Sequence, residues 1–183
     1  MSLKIISLIN PFLIITIAAL LRLLPHPPNF APIAAMALFG GVYLNKKYAL
    51  ILPLLALFTS DLFIGFYGAP MMSFVYGSFL LTGCIGIFLK NHKKPTVIIS
   101  AALFSSLLFY LITNFGVWLT TPFYPKTLSG LLESYTMAIP FFRNTILGDL
   151  LYTGIFFTSY EIAVRLLTPK HGILNENKSK FKI

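Results

Sequence analysis

Seven polar or aromatic residues stand within otherwise apolar stretches of this 183-residue chain, and together they could bind a small molecule. Carboxylates and amides would supply hydrogen bonds, and two aromatic rings could stack on a flat ligand. A guanidinium group could meet an anionic part of that ligand. The predicted substrate-binding residues are Asp61, Tyr110, Asn114, Trp118, Arg143, Asn144 and Asp149.

A purely structural role stays open for these residues. Asp61 could pair with Arg143 or cap a helix end, and Trp118 could be an ordinary aromatic residue of the membrane interface. Arg143 and Asn144 are adjacent, so on a helix they point about 100° apart and can face different neighbours. Arg22 is expected to extend its charge toward the lipid headgroups.

The composition is that of an integral membrane protein. Hydrophobic residues make up 57% of the chain and charged residues 10%, whereas soluble domains average about 25% charged residues. A membrane-spanning helix needs roughly 20 apolar residues, and six candidates follow one another: residues 6–24, 30–44, 48–66, 70–89, 95–119 and 138–167. We therefore predict an all-α bundle of six transmembrane helices over residues 1–168, followed by a polar, basic cytoplasmic tail over residues 169–183.

Lysine residues are concentrated on alternate connections between the predicted helices. The connections at 45–47 and 90–94 carry five lysines and the tail carries four more, whereas the connections at 25–29, 67–69 and 120–137 carry only Lys126. Positively charged connections tend to stay in the cytoplasm. The asymmetry predicts a multi-pass membrane protein with both termini in the cytoplasm, and it places the predicted binding residues toward the outer half of the membrane.

The sequence PHPPN at residues 25–29, here called the hinge, separates the first two predicted helices. Asn29 is expected to cap helix 2, whose residues 30–44 would rise only about 22 Å. Since the hydrocarbon core is about 30 Å thick, the hinge either dips beside an outward-facing cavity or forms a stiff external turn.

Residue spacing gives three further expectations. The loop 120–137 is predicted to include a short amphipathic helix, from the spacing of Leu128, Leu131, Leu132 and Tyr135. Glu161 and Arg165 are four residues apart and predict an ion pair within one helix. Small residues four apart predict close helix packing, either inside the bundle or against another subunit: Ala31 with Ala35, and Ala37 with Gly41.

Several other function classes lack their motifs in this sequence. Cys84 is the single cysteine, so an internal disulfide and a CxxC metal site are excluded. No Walker A, HExxH or GxSxG motif is present, and no metal or cofactor is predicted. The net charge of +9 follows membrane topology, not a nucleic-acid-binding surface.

We predict that the chain is not an enzyme, and two alternatives to substrate binding stay open. One is an intramembrane enzyme that uses Asp61 and Asp149 as a carboxylate pair. The other is an assembly subunit that performs no transport and uses its small-residue face to bind a partner.

Four stretches carry a resemblance to a known family: LLPHPPNFAPIAAMALFGG, SDLFIGFYG, NFGVW and YPKTLSGLLESYTMAIPFFRNTILGDLLY. They resemble a family of small bacterial membrane proteins of uncharacterised function that are usually described as candidate transport proteins. That family is similar to the substrate-binding S components of energy-coupling factor (ECF) vitamin transporters.

The resemblance implies a six-helix protein of the bacterial cytoplasmic (inner) membrane that binds a vitamin or similar micronutrient from outside, in a pocket that the loop between helices 1 and 2 helps to close. The hinge matches that gating loop in position, so the resemblance gives the gating role to His26, Pro27, Pro28 and Asn29. It also implies an ECF-type membrane subunit and two cytoplasmic ATPases as partners. S components commonly carry an AxxxA pattern on helix 1 for docking that subunit, whereas this chain has Ile14 and Ala18 at that spacing. The predicted function is membrane transport of a small micronutrient.

Overall fold

The computed structural model describes residues 11–167, and every regular element within that range is a helix. The helices are α1 (Pro11–Leu21), α2 (Ile33–Tyr43), α3 (Lys46–Ala49), α4 (Ile51–Ile64), α5 (Ala69–Leu89), α6 (Pro95–Thr120) and α7 (Leu128–Leu167). Each predicted apolar segment overlaps one of them, and 48–66 overlaps both α3 and α4. The start of predicted helix 1 and the predicted tail lie outside the described residues.

Three helical stretches are long and apolar enough to cross a membrane, namely Lys46–Ile64, Ala69–Leu89 and Pro95–Thr120. Helices α1 and α2 are apolar but have only 11 residues each in the described part. Helix α7 has 40 residues, so it rises about 60 Å, roughly twice the thickness of a hydrocarbon core. The lengths and compositions of these helices are those of a membrane protein.

Helix α2 lies at the centre of the bundle and contacts every other described helix. Its residues from Ile33 to Val42 are all buried, although the helix rises only about 16 Å. Small side chains at Ala34, Ala35 and Gly41 let the surrounding helices approach it closely. The small-residue face predicted from the sequence is therefore used for packing inside the bundle.

The contact between α2 and α5 is made by backbone atoms. A Cβ atom added at Gly41 would lie 2.4 Å from the carbonyl oxygen of Gly83, and one added at Gly86 would lie 2.4 Å from the carbonyl oxygen of Leu38. Lipid supplies no hydrophobic force between helices, so this close packing is a main source of their attraction.

The hinge forms a tight turn. The Phe30 amide donates to the Pro27 carbonyl at 3.0 Å, and Asn29 has a φ of 63°. Pro28 and Asn29 thus take the second and third positions of a turn, which proline and asparagine favour there. The prediction that Asn29 caps helix 2 is wrong, because that helix begins later and its N-cap position is Pro32, without a side-chain hydrogen bond.

The predicted short helix in the loop 120–137 is the first part of α7, which continues without a break past Pro140. Proline removes one backbone hydrogen bond but does not end a helix that neighbouring elements support. Gly130 lies directly against the backbone of Pro125, since an added Cβ would be 2.1 Å from the Pro125 carbonyl oxygen. This contact folds the short 121–127 connection onto the beginning of α7.

Replacing Gly41 by alanine should destabilise the protein by about 1–3 kcal/mol, because the added methyl group meets backbone atoms that cannot rotate away. Gly154→Ala is the matched control on α7, since nothing lies within 4 Å of its added Cβ. That control should be neutral or slightly stabilising, because alanine favours a helix over glycine. Thermal unfolding of the detergent-solubilised proteins measures both, and equal midpoints for the two variants would contradict the α2–α5 contact.

Candidate functional site

Two neighbouring cavities lie where the hinge meets the helix bundle. Cavity 1 has a volume of about 350 Å³ and lies between the hinge, α5, α6 and α7. Cavity 2 has a volume of about 230 Å³ and reaches the residues that follow α1 and α4. The two cavities share Asn29, Val75, Phe109 and Thr145 in their walls.

The structure brings six of the predicted site and gating residues to these cavities. Tyr110, Asn114 and Pro28 line cavity 1, Asp149 and His26 line cavity 2, and Asn29 lines both. Pro27 lines neither cavity, and its carbonyl accepts the hydrogen bonds that shape the turn. Asp61, Trp118, Arg143 and Asn144 also lie outside both walls.

Cavity 1 is aromatic and contains no ionisable acid or base other than tyrosine among its lining residues. The Tyr110 hydroxyl donates to the Tyr135 carbonyl at 2.7 Å, and its ring stacks on Phe142 with centroids 4.4 Å apart. The Asn114 amide nitrogen donates to the Tyr110 carbonyl at 2.7 Å. The Asn114 side-chain oxygen, in contrast, receives no hydrogen bond from a described residue and can accept one from a ligand.

Arg22 and Asp61 form a buried ion pair beside cavity 2. An Arg22 nitrogen lies 2.6 Å from an Asp61 carboxylate oxygen, and the other carboxylate oxygen accepts a hydrogen bond from Tyr76 at 2.6 Å. Arg22 also donates to Ser60 and to the Leu57 carbonyl. The exposed fractions of the two charged side chains are 12% for Arg22 and 1% for Asp61.

Two sequence predictions about this pair are wrong. Arg22 does not extend toward the headgroups, and Asp61 pairs with it instead of with Arg143 or a helix end. The physical reason is that α1 packs against α4, which places a guanidinium next to a carboxylate in a poorly solvated region where opposite charges attract strongly. Asp61 is thereby paired with Arg22, and it lines neither cavity, so it is not placed to contact a ligand there.

Asp149 is buried near the middle of α7 in a different environment. Its exposed fraction is 3%, and one of its oxygens accepts a hydrogen bond from Ser106 at 2.6 Å. No lysine, arginine or histidine in residues 11–167 lies within ion-pair distance of it. It therefore faces cavity 2 without a compensating charge.

Tyr67 is a second polar group of cavity 2, contributed by the short connection between α4 and α5. Its hydroxyl oxygen is buried and has no hydrogen-bond partner in the described part of the chain. Burial and the neighbouring Asp61 carboxylate raise the pKa of Tyr67 to about 12, so the hydroxyl keeps its proton at neutral pH. Sequence reasoning missed both Tyr67 and Ser106, since neither stands out by type or spacing.

Asn144, Gly148 and Tyr152 share one face of α7, as their spacing predicts, and this face holds the linker that contains the hinge. The Asn144 amide donates to the Pro28 carbonyl at 3.0 Å. A Cβ added at Gly148 would lie 3.2 Å from the Phe30 Cα, and the Phe30 and Tyr152 rings are 5.8 Å apart. Asn144 is therefore placed to position the hinge, not to contact a ligand in either cavity.

Trp118 and Arg143 do not have the surroundings that a ligand-binding role would need. The Trp118 indole donates to the Pro125 carbonyl at 3.0 Å, and Lys126 binds the Trp118 and Thr121 carbonyls, so this cluster anchors the 121–127 connection. Arg143 is exposed on α7 and makes no hydrogen bond or ion pair with the described residues. The expected ring stacking by Trp118 and anion binding by Arg143 thus lack a site.

The lysine-rich end of the bundle carries a third polar cluster. Glu161 accepts a hydrogen bond from the Tyr43 hydroxyl at 2.5 Å, and Lys93 lies over the Tyr43 ring at 4.4 Å from its centroid. The predicted ion pair between Glu161 and Arg165 is wrong, because Glu161 turns toward α2 while Arg165 is exposed. This cluster stabilises the packing of α7 on α2.

The chain belongs to the DUF6580 family, a family of unknown function, whose profile matches residues 4–171. No curated protein and no solved structure matches the chain. The family description says nothing about S components, so the likeness to ECF transporters stays an expectation from the quoted sequence stretches.

Asp61→Asn and Arg22→Met should each destabilise the protein by about 3–5 kcal/mol, because each leaves one buried charge without its partner. The double variant should lose less than the sum of the two losses, since it leaves no unpaired charge. Thermal unfolding of the four proteins in detergent gives the coupling free energy. A double variant whose loss equals that sum would mean that the ion pair contributes nothing.

Proposed function

We propose that the protein is a membrane transport protein that binds a small, ring-containing micronutrient in cavity 1. The observation that carries the proposal is the position of this cavity: its wall combines hinge residues with aromatic and amide side chains of α6 and α7. A binding site that is bordered by a connecting loop can open by movement of that loop, without rearrangement of the helices.

The size and lining of cavity 1 suit a small organic ligand. Ligand sites commonly measure about 300–1,000 Å³ and combine apolar walls with a few placed polar groups, and cavity 1 lies at the lower end of that range. Tyr110 and Phe142 offer ring surfaces, while Asn114 offers a free acceptor oxygen. The part of the ligand in cavity 1 would therefore be flat and uncharged, with a hydrogen-bond donor at its edge.

The hinge would act as the gate of this site. Asn144 holds the Pro28 carbonyl, and Tyr152 packs on Phe30, so release of these two contacts would free the turn from α7. The proline residues keep the turn rigid, so it would move as a unit. The seven-helix count of the described chain is compatible with six crossings, since α3 and α4 form one stretch.

The proposed orientation of the protein in the membrane follows from the distribution of its lysine residues. In this proposal the lysine-rich end faces the cytoplasm and the hinge faces outward, so that the ligand is taken from outside through the bacterial cytoplasmic membrane.

The proposed transport would need an external source of energy. The sequence has no Walker A motif, and energy would come from an ECF-type membrane subunit with two ATPases. Ala18 is buried within the bundle, so such a subunit would dock on another surface than the usual helix 1 pattern.

The geometry gives less support to the two alternatives. An enzyme with a carboxylate pair needs Asp61 and Asp149 at one site, but Asp61 is bound by Arg22 and Tyr76 and lines neither cavity. An assembly subunit would need its small-residue face exposed, but that face is buried on α2. Ligand binding is the function that the two cavities support best.

Native mass spectrometry of the gently solubilised protein should detect a co-purifying small molecule. Ala138→Phe should remove it, because Ala138 is buried in the wall of cavity 1 and a phenyl ring would fill the space. Ala163→Phe is the matched control, since Ala163 lies on the same helix and lines neither cavity. Equal ligand retention by both variants would place the ligand elsewhere and contradict the proposed site.

Asn114→Ala should weaken binding of the co-purified compound about five- to tenfold, the effect of one lost hydrogen bond. Asn144→Ala should instead speed its dissociation, because the hinge loses its bond to α7. The double variant should abolish uptake by cells and still insert into the membrane, while Asn45→Ala, at the other end of the bundle, should behave as wild type. Normal uptake by the double variant would contradict both the ligand-binding role of Asn114 and the hinge-positioning role of Asn144.

A further inference from the structure

The charges around cavity 2 do not balance. Its ionisable lining residues are Arg22, His26, Tyr67 and Asp149. Arg22 is neutralised by Asp61, and Tyr67 keeps its proton. Asp149 is thus left as a buried carboxyl group that meets no positive charge among residues 11–167.

An isolated carboxylate in a poorly solvated site is unstable unless it gains a proton or a cationic partner. The Ser106 hydroxyl, the one donor to Asp149 in the described structure, is also within 3.0 Å of the Ala102 carbonyl. A hydroxyl group has a single hydrogen, so Ser106 cannot satisfy both acceptors at once. Asp149 can therefore accept a hydrogen bond from a further donor.

Tyr67 provides an independent sign of a missing partner in the same cavity. Its buried hydroxyl makes no hydrogen bond to a described residue, and such unsatisfied groups are rare in folded proteins. A hydroxyl oxygen can accept a hydrogen bond from a ligand N–H group as well as donate its own. Among the described residues, cavity 2 thus presents a carboxyl group without a positively charged partner and a phenol without a hydrogen-bond partner.

The two cavities adjoin one another through shared lining residues, and the proposal places one molecule across both. They meet at Asn29, Val75, Phe109 and Thr145, which line both. Cavity 1 is aromatic and contains no charge, whereas cavity 2 carries the uncompensated acid. A volume of about 230 Å³ is also far larger than a bare metal ion needs, so a polar organic group fits it better.

We propose that the ligand is an organic cation whose ring occupies cavity 1 and whose protonated nitrogen lies in cavity 2 against the Asp149 carboxylate and the Tyr67 hydroxyl. The proposal rests on the proposed function and adds the charge of the substrate. The sequence predicts an anionic group on the ligand, bound by Arg143. The present proposal replaces it by a cationic group, because Arg143 is exposed outside both cavities and Arg22 is already paired with Asp61.

Three small probes of similar size and different charge test the proposal: 2-phenylethylamine, 2-phenylethanol and phenylacetate. Their binding to the detergent-solubilised protein is measured by calorimetry at neutral pH, where the amine is protonated. Wild-type protein should bind the amine at least about tenfold more tightly than the alcohol, since a charge-assisted hydrogen bond is stronger than a neutral one. It should bind phenylacetate more weakly than the alcohol.

Asp149→Asn should remove the preference for the amine, so that the amine and the alcohol bind the variant with similar affinity. Glu161→Gln is the matched control, because Glu161 is the other hydrogen-bonded acid of α7 and lines neither cavity. That control should keep the full preference. If Asp149→Asn does not fold, the ranking of the three probes on the wild-type protein still decides the question.

The possible failures are distinguishable. Binding of the alcohol with no preference for the amine, or a preference that survives Asp149→Asn, would overturn the cation assignment and leave cavity 1 as a ligand site. A preference for phenylacetate would overturn it in the same way. Absence of binding by all three probes, together with no co-purifying compound, would overturn both the cation assignment and the proposed function.

Discussion

The burial of a short helix at the centre of the bundle is the constraint on which the rest of the structure depends. Helix α2 has 11 residues and contacts all other described helices, yet it rises only about half the thickness of a hydrocarbon core. Its backbone contact with α5 through Gly41, Gly83 and Gly86 holds it in place. The hinge linker and the two cavities lie at the N-terminal end of this helix, where Ala31, Ile33 and Ala34 line cavity 2.

Around this centre, the polar groups follow one rule: a charge removed from water needs a partner. Arg22 and Asp61 satisfy the rule with each other, and Tyr76 and Ser60 complete their hydrogen bonds. At the other end, Glu161 is bound by Tyr43. Among the residues that line the two cavities, Asp149 lacks a positively charged partner and Tyr67 lacks a hydrogen-bond partner in the described chain, which is why we propose a bound molecule there.

The hinge links the fold to the proposed function. Its turn is set by local residues, with proline at the second position and asparagine at the third. Its place on the bundle is set by distant ones, because Asn144, Gly148 and Tyr152 of α7 receive it. The hinge turn is rigid and is held on α7 by one amide hydrogen bond and one ring contact. Detaching the turn from α7 therefore has a low free-energy cost, as the movement of a gate requires.

The sequence by itself left open whether the small residues of α2 pack inside the bundle, and it placed the start of the last helix at residue 138 instead of Leu128. It determined the helical class, the overlap of each predicted apolar segment with a helix of the described residues, and the shared face of Asn144, Gly148 and Tyr152. These features depend on composition and on the 3.6-residue period, which are local properties of the chain. Only the tertiary structure decided the partners: Arg22 for Asp61, Tyr43 for Glu161, Pro125 for Trp118, and an uncompensated position for Asp149. Pairing depends on which helices pack side by side and how each is rotated, and residues 22 and 61, or 43 and 161, are too far apart along the chain for spacing to reveal it.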